Sequence, residues 1–239
     1  MPKTISGHYS QAYDAELNEA ISKLAQMVQL VDSQLEDAIH SFISGDRSLA
    51  QKVVSTDDLV NTFEVSLEQH CLEIIVRRQP TATDLRLVLG IMKSVGDVER
   101  IGDYAESIAK QVLQDDGPRP KEAQLEDIRQ MAFKVRELLN QATSAFAEMD
   151  AAKALDTLRL DRFVDDDYGR ILRHNLTYML EDTRQITRGL NLIWAARALE
   201  RIGDHAKNIC EFSIFVARGK IVTHLSDAEL QTLVEAKQD

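Results

Sequence analysis

The chain has 239 residues and a formal net charge of −11 at pH 7, with 44% hydrophobic and 28% charged residues. This composition is typical of a folded protein with a substantial core. The excess of acid argues against a nucleic-acid surface, which needs a basic patch, and is compatible with binding cations or basic protein surfaces. The apolar runs are far shorter than a membrane span, and the N-terminus lacks the apolar core of a signal peptide.

The sequence predicts an all-α fold, because helix breakers are scarce: there are only four prolines and ten glycines. Three- and four-residue spacings of apolar residues predict six long helices and a short seventh one. They cover residues 10–43, 48–78, 82–113, 121–148, 151–181, 183–218 and 226–235. Thr81 with Asp84 resembles a capping box at the start of the third helix.

Residues 115–120 contain two prolines and a glycine and are predicted to be a linker. We therefore expect a first domain over residues 1–116 and a second over residues 121–239. Each domain is predicted to be a three-helix bundle with long helices and tight connections, and a tail follows the second bundle.

The second half of the chain repeats the first. The letters ERIGD occur at residues 99–103 and again at residues 200–204, an offset of 101. Upstream of the hinge before the third helix, an offset of 104 pairs Asp46 with Asp150 and Asp57 with Asp161. Identical letters inside two long helical patterns indicate an internal duplication.

The carboxylates of the repeated motif are predicted to face the core. Apolar residues at three- and four-residue steps lead to Glu99 and Asp103 in the third helix. The same steps lead to Glu200 and Asp204 in the sixth helix. A charge that points inward is costly unless it is paired, neutralised or bound to a metal ion.

Polar residues also interrupt the apolar faces of the second and fifth helices. They are Asp57 and Asn61, with Glu64 nearby, and Asp161 and Asp165. Antiparallel helices that meet at a tight hinge place residues equidistant from that hinge at the same level. This rule pairs Asn61 with Glu99, Asp57 with Asp103, Asp165 with Glu200, and Asp161 with Asp204.

Several oxygen ligands at one level predict a site for a divalent or iron cation, such as Mg, Mn, Ca, Fe or Zn, of unknown identity. The candidate ligands are Asp57, Asn61, Glu99, Asp103, Asp161, Asp165, Glu200 and Asp204. The alternative is ion pairing. Arg100 and Arg201 follow the motif glutamates, but adjacent helix residues do not share a face, so we expect these arginines to reach the surface as contacts for a partner. Gly102 and Gly203 permit close approach of a neighbouring backbone or a ligand.

Other reactive side chains carry weaker signals. Cys71 and Cys210, one in each half, fit buried reduced thiols of a cytoplasmic protein better than a disulfide framework. His205 has Tyr104 at the corresponding position, so we expect an interface or surface residue. No phosphate-binding loop, nucleophile elbow or dinucleotide fingerprint is present, so we predict no catalytic and no cofactor-binding residues.

These residues together resemble the PhoU family, accessory regulators of bacterial phosphate-specific transport. The resemblance rests on the duplicated ERIGD, the letters RRQP at residues 77–80 followed by DLR at residues 84–86, and the acidic positions on the second and fifth helices. It covers nearly the whole chain. It implies two tandem three-helix bundles, a homodimer, and motif acids able to hold metal ions. Asn61 is a departure, since the second half has a carboxylate there, and it makes metal occupancy of the first site less certain.

The resemblance also implies a function. Family members are taken to bridge the ATPase subunit of the phosphate transporter and a membrane sensor histidine kinase, and to repress the phosphate-starvation regulon when phosphate is abundant. This implies a non-enzymatic cytoplasmic adaptor, held at the inner face of the plasma membrane by its partners. The alternatives are a metal store or scaffold, and a di-metal carboxylate enzyme. The enzyme is disfavoured because Gly102 and Gly203 stand where its Glu-x-x-His pattern needs histidine.

Overall fold

A computed structural model describes residue 5 and residues 11–115, 117 and 120–236. Over this part of the chain the regular structure is helical, which confirms the predicted all-α fold. The helices are α1 (Gln11–Ser44), α2 (Arg47–Arg78), α3 (Ala82–Gln114), α4 (Glu122–Glu148), α5 (Ala151–Leu158), α6 (Asp161–Glu181), α7 (Ile186–Arg218) and α8 (Asp227–Glu235). Linker residues 116, 118 and 119 and both chain ends lie outside the described residues, and the domain boundaries at 116 and 121 stay a prediction.

Corresponding aspartates begin α2 and α5. The side chain of Asp46 accepts a hydrogen bond from the backbone N–H of Leu49 at 3.0 Å. Asp150 accepts hydrogen bonds from the backbone N–H groups of Ala152 and Lys153, both at 3.0 Å. The first N–H groups of a helix have no partner within it, so each cap stabilises its helix by about 1 kcal/mol. The same cap at the same position of the repeat supports the duplication.

The predicted fifth helix is two helices. Arg159 and Leu160 separate α5 from α6, and the backbone N–H of Leu160 donates to the carbonyl of Thr157 at 2.9 Å. This three-residue hydrogen bond tightens the chain into a 3₁₀-type turn. The Arg159 guanidinium donates to both carboxylate oxygens of Asp227 in α8, at 2.9 and 3.0 Å. The turn thus lies where the C-terminal helix docks, and no proline or glycine marks it in the sequence.

Two predicted helix starts also need correction. Residues Thr183–Gln185 form one turn of 3₁₀ helix, and α7 starts after them. Thr81 precedes α3 as predicted, but its side chain makes no capping hydrogen bond, so the predicted capping box is wrong. Burial, together with the neighbouring carboxylate of Asp84, raises the pKa of Tyr13 of α1 to about 12.

The two halves of the fold pack against each other. In the first half α1, α2 and α3 pack pairwise, and in the second half α4, α5 and α6 pack against α7. α3 also lies along α7, and α1 contacts α4. Within the described residues, the buried apolar side chains form one cluster that runs through both halves. The ERIGD copies are therefore held on the two central helices of a shared core.

An ion pair joins α1 to α4 beside this core. Nε and Nη2 of Arg136 donate to the two carboxylate oxygens of Asp32, at 2.8 and 2.9 Å. Nη2 also lies 3.0 Å from Oε2 of Glu36. A guanidinium that meets a carboxylate with two parallel hydrogen bonds fixes the relative position of the two helices.

Candidate functional site

The ERIGD carboxylates lie at the edge of the buried face, not in its centre. In α3, Gly102 is buried, but the side chains of Glu99 and Asp103 are 18% and 38% exposed. In α7, the side chains of Glu200 and Asp204 are 12% and 39% exposed. The prediction that these acids point into the core is therefore wrong, because the buried stripe runs through the residue that precedes each of them.

Each partner helix buries an aspartate at the level of the motif. Asp57 of α2 and Asp161 of α6 are 7% and 5% exposed, which confirms that polar residues enter the inward face. Asn61 and Asp165, one turn further along, are exposed, so the prediction is wrong for them. A step of four residues turns a helix position by about 40°, which moves these two side chains outward.

The motif glycines let the helices approach closely, as predicted. A methyl group at Gly102 would lie 3.5 Å from Oδ1 of Asp57 and 3.2 Å from Cγ1 of Val60. A methyl group at Gly203 would lie 3.2 Å from Oδ1 of Asp161. Each buried aspartate thus reaches the level of the motif, where the distances from the hinges predicted it.

Neighbouring carboxyl groups help to raise the pKa of the motif glutamate in each half. Burial is the largest cause that raises the pKa of Glu99 above its ordinary value, and the negative charges of Asp103 and Glu64 raise it further. Burial is likewise the largest cause that raises the pKa of Glu200, and the negative charge of Asp204 raises it further. Glu64 is part of the first cluster but was left out of the predicted ligand set. Its interruption of the apolar face of the second helix was the available signal.

In the first cluster the partners are one arginine and two amides. Nη1 of Arg100 lies 3.1 Å from Oδ2 of Asp103, and Nε lies 3.6 Å from Oε2 of Glu99. The amides of Gln34 and Asn61 donate to Asp57, each at 3.2 Å. Arg100 is 63% exposed, so its predicted surface position is confirmed. The arginine nevertheless contacts both motif acids of its own helix.

In the second cluster three cations contact the acids. Arg197 pairs with Glu200, and Nη1 of Arg201 lies 3.1 Å from Oδ2 of Asp204. Nζ of Lys207 lies 3.4 Å from Oδ2 of the buried Asp161. Sequence reasoning missed Arg197 and Lys207. Their signal was the spacing of three residues before Glu200 and three after Asp204, which places them on the face of the motif acids.

The side chains of the two clusters are paired with one another and do not surround a common point where a metal ion would bind. Among the described residues, no three His, Cys, Asp or Glu side chains are grouped so as to hold a metal ion. The oxygen ligands suit a hard cation, and Oε2 of Glu200 is buried without a hydrogen-bond partner. A cation would require the carboxyl groups to turn away from the arginines and toward one another.

His205 lies at the interface of the two central helices, as expected. Its Nδ1 is 2.7 Å from Oδ1 of Asp97 in α3, and its ring stacks obliquely on Tyr104 with 5.9 Å between centroids. The predicted thiols are also confirmed. Cys71 and Cys210 are buried and free, and burial raises the pKa of the Cys71 thiol to about 12.

A family model described as the PhoU domain matches this chain twice, over residues 24–112 and over residues 128–213. The chain belongs to the PhoU family. The two matches contain the two copies of ERIGD, so the duplication is that of the PhoU domain. Membership makes the chain a non-enzymatic regulatory protein.

Named members of the PhoU family match over nearly their whole length. The phosphate-specific transport system accessory protein PhoU homolog of Pseudomonas aeruginosa is 42% identical over 234 residues, which are 97% of this chain and 96% of that protein. The accessory protein PhoU of Escherichia coli (strain K12) is 37% identical over 235 residues, which are 98% and 96% of the two chains.

Solved structures of the PhoU family share the fold. The crystal structure of PhoU from Pseudomonas aeruginosa superposes with a TM-score of 0.82 at 43% identity, over 87% of this chain and all 100% of that one. The phosphate transport system regulatory protein PhoU from Streptococcus pneumoniae superposes with a TM-score of 0.81 at 28% identity. The superposition covers 88% of this chain and 99% of that chain. These matches confirm the predicted PhoU-like helical repeats.

Proposed function

We propose that this chain is the accessory protein of a phosphate-specific transport system. The observation that carries the proposal is the nearly complete match to proteins with that name, over 97% of this chain and 96% of the Pseudomonas aeruginosa protein. Both copies of the PhoU domain and both ERIGD motifs lie inside the matched length.

In this role the chain acts as an adaptor. It couples the ATPase subunit of the phosphate transporter to a phosphate-sensing membrane histidine kinase, and it represses the phosphate-starvation regulon when phosphate is abundant. None of the described helices combines the length and apolar character needed to cross a bilayer. The proposal therefore places the chain at the inner face of the plasma membrane through its partners.

Two repeated surface features support the adaptor role. The exposed arginines Arg100 and Arg201 occupy corresponding positions in the two halves. Exposed leucines also correspond, since Leu72 of α2 and Leu176 of α6 are related by the offset of 104. Repeated exposed apolar side chains are typical of contact surfaces, so we assign them to partners or to a homodimer.

We also propose that the motif acids hold a divalent or iron cation. The ligand set is the one predicted above, and the raised pKa of Glu99 and of Glu200 supports it, because a cation would relieve the repulsion between neighbouring carboxylates. A bound cation would crosslink the facing helices and stiffen the surface around the arginines.

A phosphate-starvation reporter tests the proposed function. In phosphate-rich medium, deletion of the gene should make the reporter constitutive, and the wild-type chain should restore repression. Arg100→Glu combined with Arg201→Glu should fail to restore it although the protein folds. Arg129→Glu, at an exposed arginine of α4, is the matched control and should restore it. Repression that survives deletion would refute the regulatory role.

A further inference from the structure

A cleft opens at one end of the seam between the two halves of the fold. It has a volume of about 210 Å³ and lies between the C-terminal ends of α1 and α3, the start of α2 and the N-terminal part of α7. Five of the residues that line it have polar or charged side chains: Arg47, Gln111, Asp115, Arg188 and Asn191. Empty space that is left by imperfect packing is normally apolar, so this lining indicates a site for a polar ligand.

The opposite end of the seam shows the same positions in a packed state. The repeat offsets of 104 and 101 relate the five polar residues, in the order given, to Ala151, Phe212, Val216, Leu87 and Gly90. A methyl group at Gly90 would lie 2.6 Å from Cγ2 of Val216, so these two positions are in contact. Their counterparts Asn191 and Asp115 are joined by a hydrogen bond of 2.8 Å. The two ends of the seam are therefore equivalent in structure, but only one of them is polar.

Two guanidinium groups supply hydrogen-bond donors to the cleft. Arg47 donates to the backbone carbonyl of Leu113, and Nη1 of Arg188 donates to Oε1 of Gln185 at 2.6 Å, so both side chains are anchored. A guanidinium has five N–H donors in a planar fork that matches the oxygens of a carboxylate or a phosphate. Since Asp115 is the single carboxylate among the five polar residues, their net charge is positive and favours an anion.

A hydrogen-bond acceptor in the cleft narrows the class of anion. Nε2 of Gln111 donates to the backbone carbonyl of Asn191 at 3.2 Å. Oε1 of Gln111 is buried and accepts no hydrogen bond from the described residues. A buried acceptor without a donor is costly, and a ligand with a hydroxyl hydrogen would supply the donor. Inorganic phosphate keeps at least one proton near neutral pH, whereas sulfate, which has the same shape, keeps none.

We propose that this cleft binds inorganic phosphate between the two halves of the chain. Arg47 and Arg188 bind its oxygens, and its hydroxyl group donates to Oε1 of Gln111. Because Arg47 belongs to the first half and Arg188 to the second, bound phosphate joins the halves at the polar end of the seam. The choice of phosphate among protonated oxyanions also rests on the proposed function, which it extends to direct recognition of phosphate by this chain.

Equilibrium dialysis of the full-length chain against radiolabelled inorganic phosphate tests the site. The protein is first treated with a chelator, so that a metal ion at the motif acids cannot bind the phosphate. We expect saturable binding of one phosphate per chain and at least tenfold weaker competition by sulfate. Arg188→Leu introduces the counterpart residue and should weaken binding at least tenfold. Arg129→Leu, at an exposed arginine of α4, is the matched control and should bind as the wild type does.

Two further variants make the test independent of the folding of Arg188→Leu. Arg47→Ala also introduces a counterpart residue, at an exposed position, and should weaken binding in the same way. Gln111→Met keeps the length of the side chain but removes its oxygen. The preference for phosphate over sulfate should then fall toward one, because the hydroxyl group of phosphate has lost its acceptor.

Three results would overturn the proposal: no saturable binding to the wild-type chain, equal binding of phosphate and sulfate, or unchanged binding in the arginine variants. None of them bears on the reporter experiment. A chain that represses the reporter without binding phosphate would keep the proposed function and lose only this site, so the two failures are distinguishable.

Discussion

His205 of α7 and Asp97 of α3 are joined by a hydrogen bond of 2.7 Å across the seam between the two halves. Asn208 donates to the same oxygen of Asp97 at 2.8 Å. The offset of 101 relates Asp97 to Ala198 and His205 to Tyr104, so the pair exists on one side of the repeat only. The interface between the duplicated halves is therefore asymmetric.

Replacement of Asp97 by Ala should lower the free energy of unfolding by about 1–3 kcal/mol, because two half-buried donors lose their acceptor. Urea unfolding measures the effect. Tyr104→Phe is the control, since it keeps the ring contact with His205, and it should change stability by less than about 0.5 kcal/mol. Equal effects of the two substitutions would show that the hydrogen bonds contribute little.

Two glycines of α3 should respond to alanine in opposite directions. A methyl group at Gly102 would press on the buried Val60 at 3.2 Å, so Gly102→Ala should destabilise the chain by about 1 kcal/mol or more. Nothing lies within 4 Å of the methyl position at Gly96. Gly96→Ala should therefore stabilise by about 0.5–1 kcal/mol through helix propensity alone. Thermal or urea unfolding of both variants measures these changes in stability. A Gly102→Ala variant more stable than wild type would contradict the close contact between the helices.

The pair between Arg136 and Asp32 should contribute measurably to the contact of α1 with α4. Because the two hydrogen bonds are parallel and the pair is half-buried, a double-mutant cycle with Arg136→Met and Asp32→Asn should give a coupling of about 1 kcal/mol. The exposed pair of Lys52 with Asp37 is a suitable control cycle. A coupling no larger than that of the control would mean that apolar packing alone holds these helices together.

Asp182 should stabilise the 3₁₀ turn that precedes α7 in a pH-dependent manner. Hydrogen bonds from the side chain and backbone of Arg184 lower the pKa of Asp182 from 3.8 to about 2. A carboxyl group with a lowered pKa contributes stability above its unfolded value, and the contribution is lost as pH falls through the folded value. Asp182→Asn should therefore be less stable than wild type at pH 7, and the difference should shrink between pH 4 and pH 2. A difference that does not vary with pH would argue against this pair.

The repeat and the helices were predictable because they depend on local periodicity and on breakers. The orientation of the motif acids was not predictable in this way, and the reason is geometrical. The prediction started from the apolar Val95 and counted two steps of four residues, first to Glu99 and then to Asp103. Each such step advances the helix position by about 40°, so two steps carry a side chain from the centre of a buried stripe to its edge.

The contact of Lys207 with Asp161 could not be predicted from the sequence either. Lys207 contacts Asp161 from another helix, at a distance set by how α6 and α7 pack. Neither the spacing nor the type of these residues fixes which rotamer each adopts. The turn at Arg159 was missed for a similar reason, since its cross-helix partner Asp227 lies 68 residues away.

The apolar cluster that runs through both halves has a consequence for how the chain melts. A half cut off at residues 116–120 would expose the side of α3 that packs on α7, and such a fragment should aggregate. Heating should likewise melt the intact chain in a single cooperative transition rather than in two. The two repeat units should thus fold as one unit, although each contains a complete copy of the motif.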